Sequence, residues 1–222
     1  MSQARWEMVD SYLAEAFVPH DDALAAALAS SSAAGLPSIQ VSPPQGRLLE
    51  MLARALGARN ILEIGTLGGY STLWLARGLA PGGRLVTLEV DPRHAEVARA
   101  NFARAERGGA IDLRLGPALK TLPQLESEKA GPFDLIFVDA DKASLPEYFT
   151  WSVRLSRPGT LILVDNVIRE GEVVNASSPD AAVQGVRRMN TLIASEPRVS
   201  ATALQTVGGK GYDGLAFVLV ER

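Results

Sequence analysis

The chain contains no cysteine and only two histidines, His20 and His94. The absence of cysteine excludes disulfides, thiolate nucleophiles, zinc–thiolate sites and iron–sulfur clusters. With so few histidines, a metal site would have to be built mostly from oxygen ligands, which favours Mg²⁺, Ca²⁺ or Mn²⁺. Any metal chemistry in this protein is therefore expected to use carboxylate and amide oxygens.

The chain also lacks a strong excess of charge and any long apolar run. Its 222 residues carry a formal net charge of −3, and the sequence pI is about 5.5. Neither value favours binding to nucleic acid or to an anionic membrane. No apolar segment approaches the roughly 20 residues that span a bilayer, and residues 1–17 have charges scattered through them, unlike a secretory signal. We therefore expect a cytoplasmic protein with neither a nucleic-acid nor a membrane partner.

What the sequence does contain is ordinary globular material, with 47% hydrophobic and 21% charged residues. This length and composition predict one domain over residues 1–222. Residues 1–58 are predicted to form a helical segment, because apolar positions recur at helical spacing and Pro19, Gly35 and Gly57 mark the helix ends.

Residues 59–222 alternate between short apolar runs and helical stretches. Five runs predict parallel strands because they are apolar on both faces, as in sheets covered by helices: "NILEIG", "RLVTLEV", "IDLRL", "FDLIFVD" and "TLILVDN". Two later runs, "SATALQTV" and "DGLAFVLVER", flank the glycine-rich "GGKGY" and predict a terminal hairpin. The sequence therefore predicts an α/β fold with N-terminal helices and a Rossmann-like core, whose doubly wound sheet has seven strands and is mostly parallel.

The first predicted strand ends in a glycine-rich turn. Gly65 and Gly69 follow Glu63 with the spacing acidic-x-Gly-x-x-x-Gly. Dinucleotide-binding turns have the pattern Gly-x-Gly-x-x-Gly, whose glycines make room for a pyrophosphate, whereas here Leu67 takes the place of the middle glycine. The anion at Glu63 suits a cationic ligand, such as a sulfonium or an ammonium, better than a phosphate. A simple tight connection between strand and helix is the alternative.

Glu89 ends the second predicted strand, near the position about 20 residues beyond the turn where a ribose-binding acid is expected. The alternative is a solvated acid at the strand end. A nucleoside that lacks phosphates but carries a positive charge suits both Glu63 and Glu89, and S-adenosylmethionine is such a ligand. After the third strand, Gly116, Pro117 and Ala118 are small enough for a flat base to approach the backbone, although they also fit an ordinary helix start.

Polar side chains follow the fourth and fifth predicted strands. Asp139 ends one strand, and Asp165 and Asn166 end the other. These strands are neighbours in a doubly wound sheet, so the three side chains should converge at one edge. Two carboxylates and an amide oxygen predict a divalent-cation site, for Mg²⁺ first and for Mn²⁺ or Ca²⁺ as alternatives. Otherwise, Asp139 caps the next helix and Asp165 with Asn166 forms a turn.

Lys142 follows Asp139 in the stretch "FVDADK". A surface lysine is usually only solvated. Beside a divalent cation, however, its neutral form is favoured, and Lys142 would then be usable as a general base.

Four motifs, "LEIGTLGGYSTLWLA", "LEVDP", "FVDADK" and "LVDN", together resemble the cation-dependent O-methyltransferases. This family contains caffeoyl-CoA and catechol O-methyltransferases, and the chain is similar to its bacterial-type members. The resemblance runs from about residue 38 to the C-terminus and keeps the family's motif order. It implies the class I fold of S-adenosylmethionine-dependent methyltransferases. One departure is Pro44, which stands where the family often has an acid.

The resemblance also implies a set of site residues. Donor-binding positions are matched by Glu63, Gly65, Gly69, Ser71, Glu89, Ala118 and Asp139. Metal-ligand positions are matched by Asp139, Asp165 and Asn166. Lys142 and Asp139 match the catalytic positions, with Lys142 as the base that takes the proton from a catechol-type hydroxyl.

The predicted function is therefore methyl transfer, dependent on S-adenosylmethionine and a divalent cation, to one hydroxyl of a catechol-type small molecule. A homodimer is expected from the resemblance and from the apolar stripe Trp6, Val9, Leu13 and Phe17, which could equally pack on its own domain. One alternative function is an NAD-dependent oxidoreductase on the same sheet, which the glycine turn disfavours. The other is a non-catalytic, donor-binding dimeric module, which the complete set of oxygen ligands disfavours.

Overall fold

The computed structural model describes residues 2–222, and its first part is helical. The helices that precede the first strand are α1 (Gln3–Phe17), α2 (Asp22–Ala33) and α3 (Pro43–Ala55). Side-chain caps set two of their starts: Asp21 accepts a hydrogen bond from Leu24 N at 2.8 Å, and Ser42 accepts one from Gln45 N at 3.3 Å.

From Asn60 onwards, strands and helices alternate as predicted. The elements are β1 (Asn60–Ile64), α4 (Tyr70–Gly78), β2 (Arg84–Glu89), α5 (Pro92–Arg104), β3 (Ile111–Leu115), α6 (Ala118–Ser127), β4 (Leu135–Val138), α7 (Leu145–Arg154), β5 (Leu161–Asp165), α8 (Ala181–Ser195), β6 (Val199–Gly208) and β7 (Gly211–Val220). Short 3₁₀ segments lie at Gly108–Ala110, Lys142–Ser144 and Arg169–Val174. The last two follow β4 and β5, at the edge where the site was expected.

The strands form one seven-stranded sheet in the order β3-β2-β1-β4-β5-β7-β6. β1 to β5 are parallel, and β7 is antiparallel to both β5 and β6. The predicted fold class and the terminal hairpin are therefore confirmed. Because the chain runs outwards from β1 to β3 and then returns to β4, the strand order reverses between β1 and β4. Ligands of such sheets bind at the carboxyl ends of the strands beside that reversal.

Helices cover both faces of the sheet, and alternate residues of β1 show this. Leu62 packs in a layer with α6, α7 and α8, where Phe149 and Met189 are buried. Ile61 packs in the opposite layer with α3, α4 and α5, where Trp74 is fully buried. Because α2 and α3 join this second layer, the N-terminal helices build part of the wall around the strand ends. The division at residues 58 and 59 and the single domain stay predictions.

α1 and β6 pack against each other but leave much apolar surface exposed. No residue of α1 is buried, and Phe17 of the predicted stripe is 69% exposed. Tyr12 on α1 is 68% exposed, and Leu204 and Val207 on β6 are also exposed. The stripe is thus only partly covered by its own chain. Across residues 2–222, none of the helices combines the length and apolar character needed to span a membrane.

Candidate active site

A cavity of about 570 Å³ opens at the carboxyl ends of the parallel strands. This volume lies in the usual range for small-molecule sites. Residues that end or follow β1 to β5 contribute to the wall: Thr66, Glu89, Gly116, Asp139 and Asn166. The remaining wall includes residues of α2 and of the loop that joins α2 to α3, within the range 28–41. The cavity therefore lies beside the reversal in strand order.

The turn after β1 requires left-handed backbone at its two predicted glycines. Gly65 has φ of 103° and Gly69 has φ of 84°. A Cβ on Gly65 would lie 2.1 Å from the carbonyl oxygen of Asp139, and one on Gly69 would lie 2.4 Å from the Phe102 ring. Gly65 lines the cavity, whereas Gly69 lies outside its lining and lets the turn pack on α5. Both glycines are needed for close packing around the cavity.

Glu63 lies behind the cavity wall, not beside the ligand space as the sequence suggested. It is fully buried, and its carboxylate accepts hydrogen bonds from Ser71 Oγ at 2.6 Å, Thr72 Oγ1 at 2.5 Å and Thr87 Oγ1 at 2.6 Å. Burial raises the pKa of Glu63 to about 7, and the hydroxyl hydrogen bonds oppose that rise. Ser71 lines the cavity, so Glu63 acts on the site through this hydroxyl.

Glu89 lines the cavity and is held by three backbone N–H groups. Its Oε2 accepts from Leu67 N at 2.7 Å, and its Oε1 accepts from Val90 N at 2.8 Å and Asp91 N at 2.9 Å. A carboxylate has about four acceptor positions, so one position on Oε2 remains for a ligand hydroxyl. Leu67 has a left-handed φ of 52°, which is uncommon for a residue other than glycine. The hydrogen bond from Leu67 N to Glu89 helps to hold this conformation and so stabilises the glycine turn.

His94, noted from the sequence only as one of the two histidines, lies on the cavity wall. Its side chain is half-buried, lines the cavity and has Nδ1 3.6 Å from Glu89 Oε1. Asp91 caps the start of α5, where its side chain accepts hydrogen bonds from Arg93 N and His94 N, so His94 lies in the first helical turn after β2. Gly116 and Ala118, after β3, also line the cavity, as the sequence suggested.

Asp139, Asp165 and Asn166 come together at the ends of β4 and β5, which are parallel neighbours. Asp139 and Asn166 line the cavity, and Asp165 is buried just behind them. Burial and the negative charge of Asp139 raise the pKa of Asp165 to about 7. The positive charge of Lys142 acts in the opposite direction and lowers this pKa. Gln45 on α3 donates a hydrogen bond from Nε2 to Asp165 Oδ2 at 2.7 Å. Sequence reasoning missed this contact because α3 is remote from β5 along the chain.

The predicted ligand trio is chemically suited to a hard divalent cation. Asp139 and Asp165 repel each other at a buried edge, and a cation would relieve that repulsion. Asn166 has a left-handed φ of 58°, a costly conformation of the kind that gathers at functional sites. No group of three or more His, Cys, Asp or Glu side chains within residues 2–222 is arranged to hold a metal. The trio has two acids and one amide, and its cation dependence stays a prediction.

Lys142 is nearly buried on the cavity wall, where Nζ donates to Asp139 Oδ1 at 2.8 Å. Asp141 also lines the cavity, and its carboxylate accepts from Tyr148 Oη at 2.6 Å and Ser144 N at 3.0 Å. Neither Asp141 nor Tyr148 was singled out from the sequence. Asp141 thus caps the segment that carries Lys142 and fixes Tyr148 against the cavity.

These features define a doubly wound α/β enzyme with its ligand cavity at the strand reversal. Residues 19–219 match a family model described as O-methyltransferase. A catechol O-methyltransferase of Niastella koreensis is 52% identical and is aligned over 100% of both chains. One from Mycobacterium tuberculosis is 53% identical, over 96% of this chain and 94% of that protein. The chain belongs to the O-methyltransferase family.

Solved structures give the same result. The O-methyltransferase from Bacillus cereus in complex with SAH has a TM-score of 0.98 and 55% identity, covering 99% of this chain and 100% of that one. TomG from Streptomyces achromogenes, an O-methyltransferase in complex with SAM, has a TM-score of 0.96 and 49% identity over 100% of both chains. The predicted resemblance and enzyme class are confirmed, in preference to the oxidoreductase alternative.

Proposed function

We propose that this O-methyltransferase moves the methyl group of S-adenosylmethionine to one hydroxyl of a catechol-type small molecule, with the help of a divalent cation. The observation that carries the proposal is the meeting of two groups on one cavity. One is the free acceptor position of Glu89, and the other is the pair Asp139 and Asn166 with Asp165 buried behind them. The relatives named catechol O-methyltransferase support the choice of acceptor.

The donor is proposed to lie at the ends of β1, β2 and β3. Ser71 donates a hydrogen bond from its hydroxyl to Glu63, so the lone pairs of its oxygen remain to accept from the donor's ammonium. Glu89 would take a ribose hydroxyl, and Ala118 leaves room for a flat base. The backbone carbonyl of Asp139 lies against the glycine turn, and Asp139 lines the same cavity, where its negative charge would favour a sulfonium. The complexes of similar O-methyltransferases with SAH and SAM support this placement.

The acceptor is proposed to lie at the ends of β4 and β5. Asp139, Asp165 and Asn166 would hold the cation, which when bound supplies Lewis acidity that favours ionisation of an acceptor hydroxyl. In its neutral amine form, Lys142 Nζ would release Asp139 and take the proton from that hydroxyl, becoming the ammonium. The oxygen then forms a bond to the methyl carbon as the sulfonium–carbon bond breaks. Opposite charges disappear in this step, so the enclosing wall at residues 28–41 favours it by excluding water.

A methyl-transfer assay with labelled donor tests this function directly. Purified protein, labelled S-adenosylmethionine, Mg²⁺ and a panel of catechols should give labelled monomethyl ethers. Phenols with a single hydroxyl should react poorly, because they cannot offer two adjacent oxygens to the cation. Labelled donor that binds without any transfer to the catechols would favour the non-catalytic donor-binding module.

We also propose a homodimer that uses the surface of α1 and β6. Tyr12 and Phe17 on α1, with Leu204 and Val207 on β6, form exposed apolar surface that their own chain leaves uncovered. Burial of such surface favours association.

A further inference from the structure

Arg169 lies at the acceptor end of the cavity. It follows β5, which is separated from β1 by β4, whereas the proposed donor site lies at β1, β2 and β3. Neighbouring strands are about 4.8 Å apart, so the end of β5 is roughly 10 Å from the glycine turn. Arg169 lines the cavity there together with Lys142, Tyr148 and Asn166. A group at this position is placed to contact the acceptor.

The backbone at Arg169 is strained and firmly held. Arg169 and Glu170 have left-handed φ values of 55° and 57°, which are uncommon for residues other than glycine. Asp213 Oδ1 accepts hydrogen bonds from Ile168 N at 2.9 Å and from Arg169 N at 3.0 Å. Strain of this kind persists where the surroundings over-determine it, and it gathers at ligand sites. The turn therefore holds the arginine in a fixed place on the wall.

The guanidinium of Arg169 has hydrogen-bonding capacity left over. Its Nε is buried and finds no hydrogen-bond partner among residues 2–222. Its Nη1 lies 3.9 Å from Asp213 Oδ2, which is too long for a hydrogen bond. Among the residues 2–222 that line the cavity, Lys142 is the one other lysine or arginine, and it already donates a hydrogen bond to Asp139. The Arg169 side chain as a whole is 32% exposed and lines the cavity, so an anion in the cavity can reach the guanidinium beyond its buried Nε.

We infer that Arg169 binds a carboxylate carried by the acceptor, so that this enzyme prefers catechol acids to neutral catechols. The planar guanidinium offers two parallel N–H groups that match the two oxygens of a carboxylate. The inference rests on the proposed function for its reaction, and it deepens that function by naming the charge of the acceptor. The alternative is that Arg169 only braces Asp213, in which case acceptor charge makes no difference.

Calorimetry on protein saturated with S-adenosylhomocysteine and Mg²⁺ tests the inference. The ligands are 3,4-dihydroxybenzoate and 3,4-dihydroxyphenylacetate, each compared with its own amide, so the distance from ring to carboxylate varies. The wild type should bind at least one acid roughly 10- to 100-fold more tightly than its amide. Arg169→Gln should abolish this preference, and Arg169→Lys should retain part of it. Arg198→Gln is the matched control, because Arg198 pairs with Glu196 and lies outside the cavity lining.

The outcomes separate this inference from the proposed function. Equal wild-type affinity for each acid and its amide, or a preference that survives in Arg169→Gln, overturns the inference. Methyl transfer to the neutral amides is measured in parallel and reports on the proposed function alone. A preference for acids that depends on Arg169, without any methyl transfer, would support the inference and reject the proposed function. Unchanged affinity for S-adenosylhomocysteine shows that the Arg169→Gln variant is folded. If the variant does not fold, the comparison of each acid with its amide on the wild type still tests the inference.

Discussion

The Ser71 hydroxyl donates a 2.6 Å hydrogen bond to Glu63 Oε1 and so links the cavity wall to a fully buried carboxylate. Thr72 and Thr87 donate to the other carboxylate oxygen, so the whole group is held by hydroxyls. In return, the Ser71 oxygen keeps its lone pairs directed away from Glu63 and available to a ligand. Glu63 thus orients the Ser71 hydroxyl towards the cavity, although Glu63 itself does not line the cavity.

The raised pKa of Glu63 predicts a pH dependence of stability. Burial raises this pKa from 4.5 to about 7, so the folded state favours the protonated acid. Its contribution to the free energy of unfolding is full below pH 4.5 and is lost as the pH rises through 7. Relative to a Glu63→Gln variant, the wild type should lose about 2–3 kcal/mol between pH 5 and pH 8. Urea unfolding of both proteins measures this difference, and a constant difference across that range would contradict the raised pKa.

Loss of the Glu89 carboxylate should weaken donor binding. Glu89→Ala removes the acceptor for the ribose and also the hydrogen bond that steadies Leu67, so the Kd for S-adenosylmethionine should rise about 10- to 100-fold. Glu89→Gln should also bind more weakly, because its NH2 group cannot accept the hydrogen bonds that one of the two carboxylate oxygens accepts now. Calorimetry gives the affinities. Glu96→Ala changes the same charge at an exposed position and should bind normally. Unchanged affinity in Glu89→Ala would remove Glu89 from the donor site.

Removal of the Lys142 amine should slow the chemical step and leave the binding of Mg²⁺ and of the donor unchanged. Lys142→Ala should keep its affinity for Mg²⁺ and for the donor but lower kcat by about 10²- to 10⁴-fold, as for loss of a general base. The loss should shrink at higher pH, where the acceptor hydroxyl ionises without help. A pH–rate profile of the variant beside the wild type measures both effects. Wild-type turnover at neutral pH would show that Lys142 is not the base.

The exposed surface of α1 and β6 predicts self-association. Light scattering at micromolar concentration should give a particle of twice the chain mass of 23.6 kDa. Tyr12→Asp should shift the particle towards the monomer, because it places a charge in the apolar surface, whereas Glu15→Gln on the same helix should not. A wild-type particle of 23.6 kDa would contradict the dimer.

Sequence patterns predicted most of the fold because they reflect local physics. Runs apolar on both faces marked the parallel strands, and Gly57 marked the end of α3 to within two residues. The side chains at strand ends could be placed together because parallel neighbours share one edge. What the patterns missed depends on contacts between distant segments. Gln45 is hydrogen-bonded to Asp165 across 120 residues of sequence, and the position of Glu63 behind Ser71 depends on how α4 is oriented on the sheet.

Cation-dependent methyl transfer is the central claim, and a chelation experiment tests it most directly. Protein treated with excess chelator should fail to move the labelled methyl group to a catechol, and added Mg²⁺, Mn²⁺ or Ca²⁺ should restore transfer to different degrees. Asp139→Ala should remain folded and inactive under every metal condition, because it lacks one ligand of the proposed trio. Full activity in the presence of chelator would contradict the account, and Asp139, Asp165 and Asn166 would then be structural groups at the strand ends.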